Sequence, residues 1–396
     1  MQLSNIADYV NEKISSTQIA LADYITTDCI LANKQGRIYA SNLPPQRCSL
    51  TKFKKGDVLV ANIRPYLKKI WLADRDGGAS NDVLVFRAKE NYSCEFVYAV
   101  LLQDIFYDWV MKAPKGTRMP RGDKNHIMRF HVEEIEDSKQ IGKLFSSIDQ
   151  KITYNRQIIA NLSDLAQLLY DYWFVQFDFP DENGQPYKSS GGSMLYDEKL
   201  KRDIPEGWHC GNLYEIASFT NGIACQKFRP KNNESRLPVI KIKEMHEGLT
   251  KDTEFVSSNI PDNVKIYNGD VLFSWSASLE VMLWCYGNGG LNQHIFKVTS
   301  ANGCPKSLYY FKLLDYVKVF KKMAEARKTT MGHITQDHLE QSIIAIPEDL
   351  KIVNKFEKEI APIFELIVTK QTEISSLIQQ RNELLPIIMN GQITIE

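Results

Sequence analysis

Residues 141–177 read IGKLFSSIDQKITYNRQIIANLSDLAQLLYDYWFVQF. Within them Phe145, Ile148, Ile152, Asn155, Ile159, Leu162, Ala166, Leu169 and Trp173 recur at alternating steps of three and four. That is the heptad spacing of a seam by which one helix lies against another. The same steps return in residues 356–388, FEKEIAPIFELIVTKQTEISSLIQQRNELLPII, as Ile360, Ile363, Ile367, Lys370, Ile374, Leu377, Arg381, Leu384 and Ile388. Asn155 and Lys370 interrupt the two seams at the same heptad position, where a polar residue costs stability but fixes register and pairing. Two helices packed on each other are therefore expected. Ile148, Ile152, Asn155, Ile159 and Leu162 would meet Ile363, Ile367, Lys370, Ile374 and Leu377. The plainer alternative is two unrelated amphipathic helices on separate cores. Pro362 places the start, or a kink, of the second helix near Ala361.

Working outward, the rest of the chain also repeats. Leu3-Ser4-Asn5-Ile6-Ala7-Asp8-Tyr9 recurs as Leu213-Tyr214-Glu215-Ile216-Ala217-Ser218-Phe219, and Gly56-Asp57-Val58-Leu59 as Gly269-Asp270-Val271-Leu272. Thr117, Met119, His126 and Ile127 align with Thr329, Met331, His338 and Leu339 at one offset. Each match is short, but their shared order and spacing point to an internal duplication. Short β-type runs dominate each copy: Asp57 to Ala61, Val83 to Arg87, Val239 to Ile242, Val271 to Trp275 and His294 to Val298. Helices are expected near Phe96 to Met111 and Leu308 to Ala326. The stretch Phe179 to Trp208 is rich in Pro, Gly and Ser, and Ser189 to Ser193 reads as flexible. The expected organisation is α+β, a mixed α/β module used twice. Its divisions are 1–138 module, 139–177 helix, 178–208 linker, 209–349 module and 350–396 helix.

The 396 residues exceed one ordinary domain, and a 43% hydrophobic, 24% charged composition is globular. With 48 basic and 48 acidic residues the formal net charge is zero, which excludes a histone-like binder but leaves room for local basic patches. Seven dispersed cysteines form no CxxC pair, and Met1 to Lys13 is no signal peptide. No apolar run approaches the roughly 20 residues of a spanning helix. A cytoplasmic chain with reduced thiols and no membrane association is expected.

Two diverged modules on a stiff rod suit a split, non-palindromic DNA target, since a helix of about 35 residues spans about 50 Å. Lys112, Lys115, Arg118, Arg121 and Lys124 cluster in one copy, and Lys318, Lys321, Lys322, Arg327 and Lys328 in the other. After the GDVL strands come Asn62, Arg64, Tyr66, Lys68, Lys69 and Trp71, and then Ser274, Trp275, Ser276 and Ser278. Such loops suit base and phosphate contacts; the bland alternative is a solvated surface. Arg64, Lys68, Lys69, Lys115, Arg118, Arg121 and Lys124 are the candidates of the first module. Lys227, Arg229, Trp275, Ser276, Arg327, Lys328 and His333 are those of the second.

Catalytic signatures are missing from the sequence. There is no S-adenosylmethionine loop, no Asn/Asp-Pro-Pro-aromatic motif and no GxxxxGK[ST]; Leu43-Pro44-Pro45-Gln46 has only the prolines. Asp178, Asp181, Glu182 and Lys188 crowd a turn-rich linker rather than forming a nuclease set. His333 and His338 are five apart, not at helical zinc spacing, and no metal site is expected.

Several stretches are similar to a known family. They are Ile141-Gly142-Lys143-Leu144 through Ile148-Asp149-Gln150-Lys151-Ile152, Leu168-Leu169-Tyr170 and Trp173 to Phe177. Phe179-Pro180 through Pro186-Tyr187-Lys188-Ser189-Ser190-Gly191-Gly192 to Trp208 and Arg381-Asn382-Glu383-Leu384-Leu385-Pro386 to Ile393 join them. They resemble the conserved regions of Type I restriction–modification specificity subunits, and Leu291 to Phe296 resembles a recognition-domain segment. The resemblance implies two α/β target recognition domains separated by two long antiparallel coiled-coil helices, an internal pseudo-twofold repeat. It implies double-stranded DNA, two methyltransferase (modification) subunits and restriction subunits as partners. S-adenosylmethionine, ATP and Mg would sit on those partners, and this chain would bind no cofactor and catalyse nothing. The alternatives are a stand-alone DNA-binding regulator, an enzyme with its own site, or a coiled-coil adaptor.

Overall fold

The computed structural model describes residues 1–396 except Thr117, Ala277, 327–335 and 394–396, with the side chains of Lys115, residues 323–326 and Gln336 also outside it. The chain divides into two units, Met1–Tyr154 with Ser376–Glu396, and Asn155–Ser375.

The first unit opens with α1 (Leu3–Ile6), β1 (Ala7–Tyr9), β2 (Lys13–Ser15), β3 (Tyr24–Ile25), β4 (Ser49–Phe53), β5 (Val58–Ala61), β6 (Ile70–Leu72), β7 (Gly77–Ala79) and β8 (Val83–Ala88). One sheet runs β1-β8-β5-β6 and is antiparallel throughout; the other runs β2-β4-β7-β3. Because side chains alternate along a strand, the apolar run in β5 serves two cores. Val58 and Val60, with Leu84 and Phe86, pack under the helix α2 (Cys94–Leu102). Leu59, Val83 and Val85 point the other way, into a core with Ile25 and Phe53 of the second sheet. A continuous rather than alternating apolar strand is the signature of a sheet buried on both faces. The helix expected near Phe96 to Met111 is broken: Gln103 is extended (ψ 143°), and α3 (Asp104–Val110) follows. The pair β9 (Pro114–Lys115) and β10 (Arg121–Gly122), α4 (Lys124–Met128) and the start of α5 (Ser138–Tyr170) complete the module.

The second unit takes the rest of α5, ended by a π-helical turn at Asp171–Val175, then β11 (Met194–Asp197), β12 (Arg202–Pro205) and β13 (Trp208–Gly211). Its module repeats the first: α6 (Leu213–Ile216), β14 (Ala217–Asn221), β15 (Arg236–Ile240), α7 (Ile242–Glu247), β16 (Phe255–Ser257), β17 (Lys265–Ile266), β18 (Val271–Ser274), β19 (Glu280–Leu283), β20 (Gly289–Leu291), β21 (Ile295–Ser300), α8 (Lys306–Ala326), α9 (Gln336–Glu340) and β22 (Ile344–Pro347). The order β14-β21-β18-β19 duplicates β1-β8-β5-β6. In the second sheet three strands correspond in register: Ile25↔Ala79 matches Ile240↔Leu291, and Lys52↔Gly78 matches Lys265↔Gly290. The fourth strand does not correspond. β2 pairs with β4, whereas β16 pairs with β15, on the opposite edge. The paired glycines of β7 and β20 are steric requirements. A Cβ on Gly77 would lie 2.2 Å from the Asp23 carbonyl oxygen, and one on Gly290 would lie 2.6 Å from Val256 Cγ1.

In each unit α5 meets α10 (Lys351–Met389) antiparallel. Phe145 and Ile141 share a core with Leu385, Ile388 and Met389 in the first unit. In the second, Ala166, Tyr170, Trp173 and Phe174 share one with Phe364, Ile360, Phe356 and Val353. Along the expected seam Ile152, Asn155 and Ile374 are buried, and Ile148, Ile159, Leu162, Ile363, Ile367, Lys370 and Leu377 are half-buried. The amide Nδ2 of Asn155 finds no partner among the described residues, while Lys370 pairs with Glu373 of its own helix at 3.0 Å. Pro362 does not begin α10, which starts eleven residues earlier at Lys351. One lost backbone hydrogen bond is offset by burial of Val353, Phe356, Ile360 and Phe364 on both sides of it.

The linker is folded rather than flexible. Asp178 accepts the Ser189 backbone N–H and hydroxyl, both at 2.7 Å, and Tyr187 donates to the Ser193 carbonyl at 2.9 Å. Phe179 stacks between Tyr187 and Trp208.

Candidate nucleic-acid interface

Each module presents a polar edge where its central hairpin leaves the sheet. In the first, Asn62 N–H donates to the Asp82 carbonyl at 2.8 Å; at the equivalent place in the second, Trp275 N–H donates to the His294 carbonyl at 3.4 Å. The two positions are 213 and 212 residues apart, the offset of the repeat.

In the first module a second segment is laced onto this edge. Asn62 Oδ1 accepts from Gly122 N–H at 3.1 Å, Ile63 bridges Arg121, and Arg64 N–H donates to the Pro120 carbonyl at 2.8 Å. Arg64 is thereby brought beside Arg121, and Arg118 and Lys124 of the same segment are exposed as well. Arg121 is held by Asp82 at 3.0 Å, which orients the guanidinium without burying it. Beneath them Trp109 and His126 stack at 4.3 Å and bond each other's carbonyl at 3.0 Å in both directions. Asp123 caps α4 through His126 N–H. Tyr9 donates to the Lys124 carbonyl at 3.1 Å; burial, aided by the Asp123 charge, pushes its phenol far up.

Lys68 and Lys69 are spent otherwise. Lys68 pairs with Asp104 at 2.9 Å, and Lys69 donates to the Thr27 carbonyl at 2.6 Å. They tie down the hairpin loop 62–69. Arg64 (φ 50°) and Lys68 (φ 51°) both adopt the left-handed conformation, and the turn between them lifts Tyr66, half exposed, to the tip. Strain of this kind persists only where neighbours over-determine it, and it concentrates at functional sites. Lys115 pairs through its backbone with Arg121; its side chain lies outside the described residues.

The second module offers a different surface. The Trp275 indole N–H donates to Asn221 Oδ1 at 3.2 Å, its ring lies 5.7 Å from that of His294, and Gln293 meets His294 at 3.4 Å. Ser276 is buried. The loop is fastened by Ser274 to the Ser278 carbonyl and by His246 to Ser278 at 3.3 Å. Lys227 and Arg229 are exposed on or beside the turn Cys225–Phe228, whose Cys225 thiol points to the Leu291 carbonyl. Arg327, Lys328 and His333 lie outside the described residues. Sequence reading missed Asp82 and Asn221 as edge residues, and took Gln293 and His294 only as part of the segment Leu291 to Phe296, not as contact candidates. The repeat offset was the available signal, since it pairs Asp82 with His294 and Asn62 with Trp275. Among the described residues no three His, Cys, Asp or Glu side chains gather as a metal site.

The chain thus repeats one α/β module, with the same central sheet order and two unlike polar edges. Residues 205–384 match the sequence profile of the Type I restriction modification DNA specificity domain. The chain is 22% identical over 362 residues to the Type I restriction enzyme MjaIX specificity subunit of Methanocaldococcus jannaschii, across 89% of this chain and 81% of that protein. It is 22% identical over 460 residues to the HindI specificity subunit of Haemophilus influenzae, across 99% and 98%. The crystal structure of the Type I S subunit from M. genitalium shares the fold, with a TM-score of 0.60 at 14% identity over 97% of this chain and 94% of that one. The chain is thus similar along nearly its whole length to Type I restriction enzyme specificity subunits, and residues 205–384 match the family's DNA specificity domain.

Proposed function

We propose that this chain is the sequence-reading subunit of a Type I restriction–modification complex. Its two modules read the two unlike halves of a split target, and its helices serve as both ruler and docking surface. It performs no chemistry. Two modification subunits would supply S-adenosylmethionine-dependent adenine methylation, and restriction subunits would supply ATP- and Mg-dependent cleavage, all in the cytoplasm. Arg64, Arg118 and Arg121 would contact one half-site, and Trp275 with Asn221, Lys227 and Arg229 the other. No described helix is long and apolar enough to cross a membrane.

The observation that favours a complex over a stand-alone regulator is a stripe on α5 and its π-helical end. Ile158, Leu165, Leu168, Tyr172 and Val175 follow heptad steps and are 37–65% exposed. A regulator needs only the buried seam, and a second, uncovered apolar stripe marks a protein partner. Of the aromatic residues near this end, Tyr170, Phe174 and Phe177 are core instead, each at most 2% exposed. The double variant L165D/L168D, judged by co-purification with the modification subunit, tests the reading. Loss of the complex with unchanged thermal unfolding is expected. Retention of the complex would return the stripe to ordinary surface.

A further inference from the structure

The first unit holds a buried chain of polar contacts that the second replaces with aromatic packing. Arg381 of α10, 1% exposed, donates through Nη1 to Asp149 Oδ1 of α5 at 2.6 Å and to the Lys34 carbonyl at 3.2 Å. The other oxygen of Asp149 accepts the Tyr98 hydroxyl of α2 at 2.6 Å. Lys34 is buried too, and its ammonium reaches Asp104 at 2.6 Å, the same oxygen that Lys68 of the hairpin loop contacts at 2.9 Å. Burial pushes the Lys34 ammonium down, whereas the two ammonium groups outweigh burial and hold Asp104 below its ordinary range.

The backbone follows the same line. Lys34 N–H donates to the Lys68 carbonyl at 2.9 Å, and Asn33 N–H to the Leu67 carbonyl at 2.8 Å. Asn33 (φ 55°) and Lys34 (φ 60°) are consecutive left-handed residues without a glycine between them. Asparagine tolerates that conformation, but for Lys34 it is unfavourable and needs outside restraint. Arg381 supplies it on the helix side, and the hairpin supplies it on the other. Asn33, Lys34 and Lys68 are thus three left-handed positions held by one network, which reaches Arg64 through the Leu67 N–H.

We infer that Arg381, Asp149, Tyr98, Lys34 and Asp104 form a positioning relay that fixes the hairpin 62–69 to the helix pair of the first unit. The inference rests on the proposed function only in giving that hairpin a DNA-reading role. Arg381 and Asp149 act through Lys34 on the loop that carries Arg64 and Tyr66. In the second unit the repeat places Ala166, Phe364 and Tyr310 where the first has Arg381, Asp149 and Tyr98. There Tyr310 and Phe364 meet edge-on at 5.1 Å, and the hairpin loop is the shorter 275–279.

That natural counterpart suggests the test. In the full chain, D149F/R381A copies the aromatic solution, which keeps the helices packed while removing the relay. Hydrogen exchange of the 62–69 amides should rise about tenfold, as for one lost buried restraint, with 275–279 unchanged. Y98F removes a single hydroxyl and reads the relay even if the double variant does not fold; a smaller rise confined to 62–69 is expected. Unchanged exchange of 62–69 in a folded variant overturns the relay. Double-stranded DNA carrying the split motif, with each half randomised in turn, separates the two readings. Raised exchange together with lost discrimination at one half only supports both. Raised exchange with full discrimination at both halves supports the relay and removes the hairpin from DNA reading.

Discussion

At equivalent points of its two units the molecule solves one packing problem in two ways. Tyr98, Asp149 and Arg381 meet as a hydrogen-bonded ion pair, while Tyr310, Phe364 and Ala166 meet as rings against a small residue. Apolar packing tolerates drift and repacking, whereas a buried charge is satisfied in one geometry only. The difference separates two jobs of a helix seam: the second unit holds its helices together, and the first also transmits their position to a loop.

Breaking the ion pair should have the largest effect. R381M removes the charge partner of Asp149, leaving it only the Tyr98 hydroxyl, and takes the donor from the Lys34 carbonyl, so a loss of about 4 kcal/mol of stability is expected in urea unfolding, most of it restored by D149F/R381A. In the aromatic counterpart F364A should cost about 3 kcal/mol by the same measurement, with no second-site polar rescue. Next comes Lys312, buried against the faces of Tyr170 and Phe174, whose ammonium is pushed down to about 7 by burial and then by the Arg202 charge, against an opposing pull from Asp315. The unfolded chain keeps this proton up to its ordinary range near 10.5, so wild-type stability rises with pH between those values. K312M should therefore be the more stable protein at pH 6. The advantage should fade toward pH 10, and a pH-independent difference would contradict the assignment. The smallest effect separates presented from spent cations. R121A should weaken DNA binding by about 1 kcal/mol and reduce the salt slope by about 1. K69A, whose ammonium is bonded to the Thr27 carbonyl, should leave the slope unchanged.

The duplication and the heptad seams were legible because periodicity and repeat offset survive in one dimension. The GDVL repeat marked the central strand of each module, and its aspartates prove structural: Asp57 is clasped by Arg87 at 2.7–2.8 Å and Asp270 by Lys297 at 2.8 Å. Asn155 and Lys370 were visible as polar interruptions and Arg381 as a seam position, but what Arg381 touches was not, since Lys34 is 347 residues away. Lys68 and Lys69 looked like Arg64 and Arg118 because charge alone does not reveal a distant Asp104 or Thr27. The linker misled for a related reason. Gly and Ser content reports flexibility only until Asp178 and Tyr187 supply the missing bonds. Pro362 failed as a boundary because the apolar seam runs through it.

The most direct test is genome-wide adenine methylation in cells expressing a methyltransferase subunit with this chain, with the variant N62A/R121A, or with neither. A split motif that requires the chain, and that in the variant relaxes in one half only, is the expected result. Methylation that is independent of the chain, or a variant that relaxes both halves alike, would contradict two unlike readers on one scaffold.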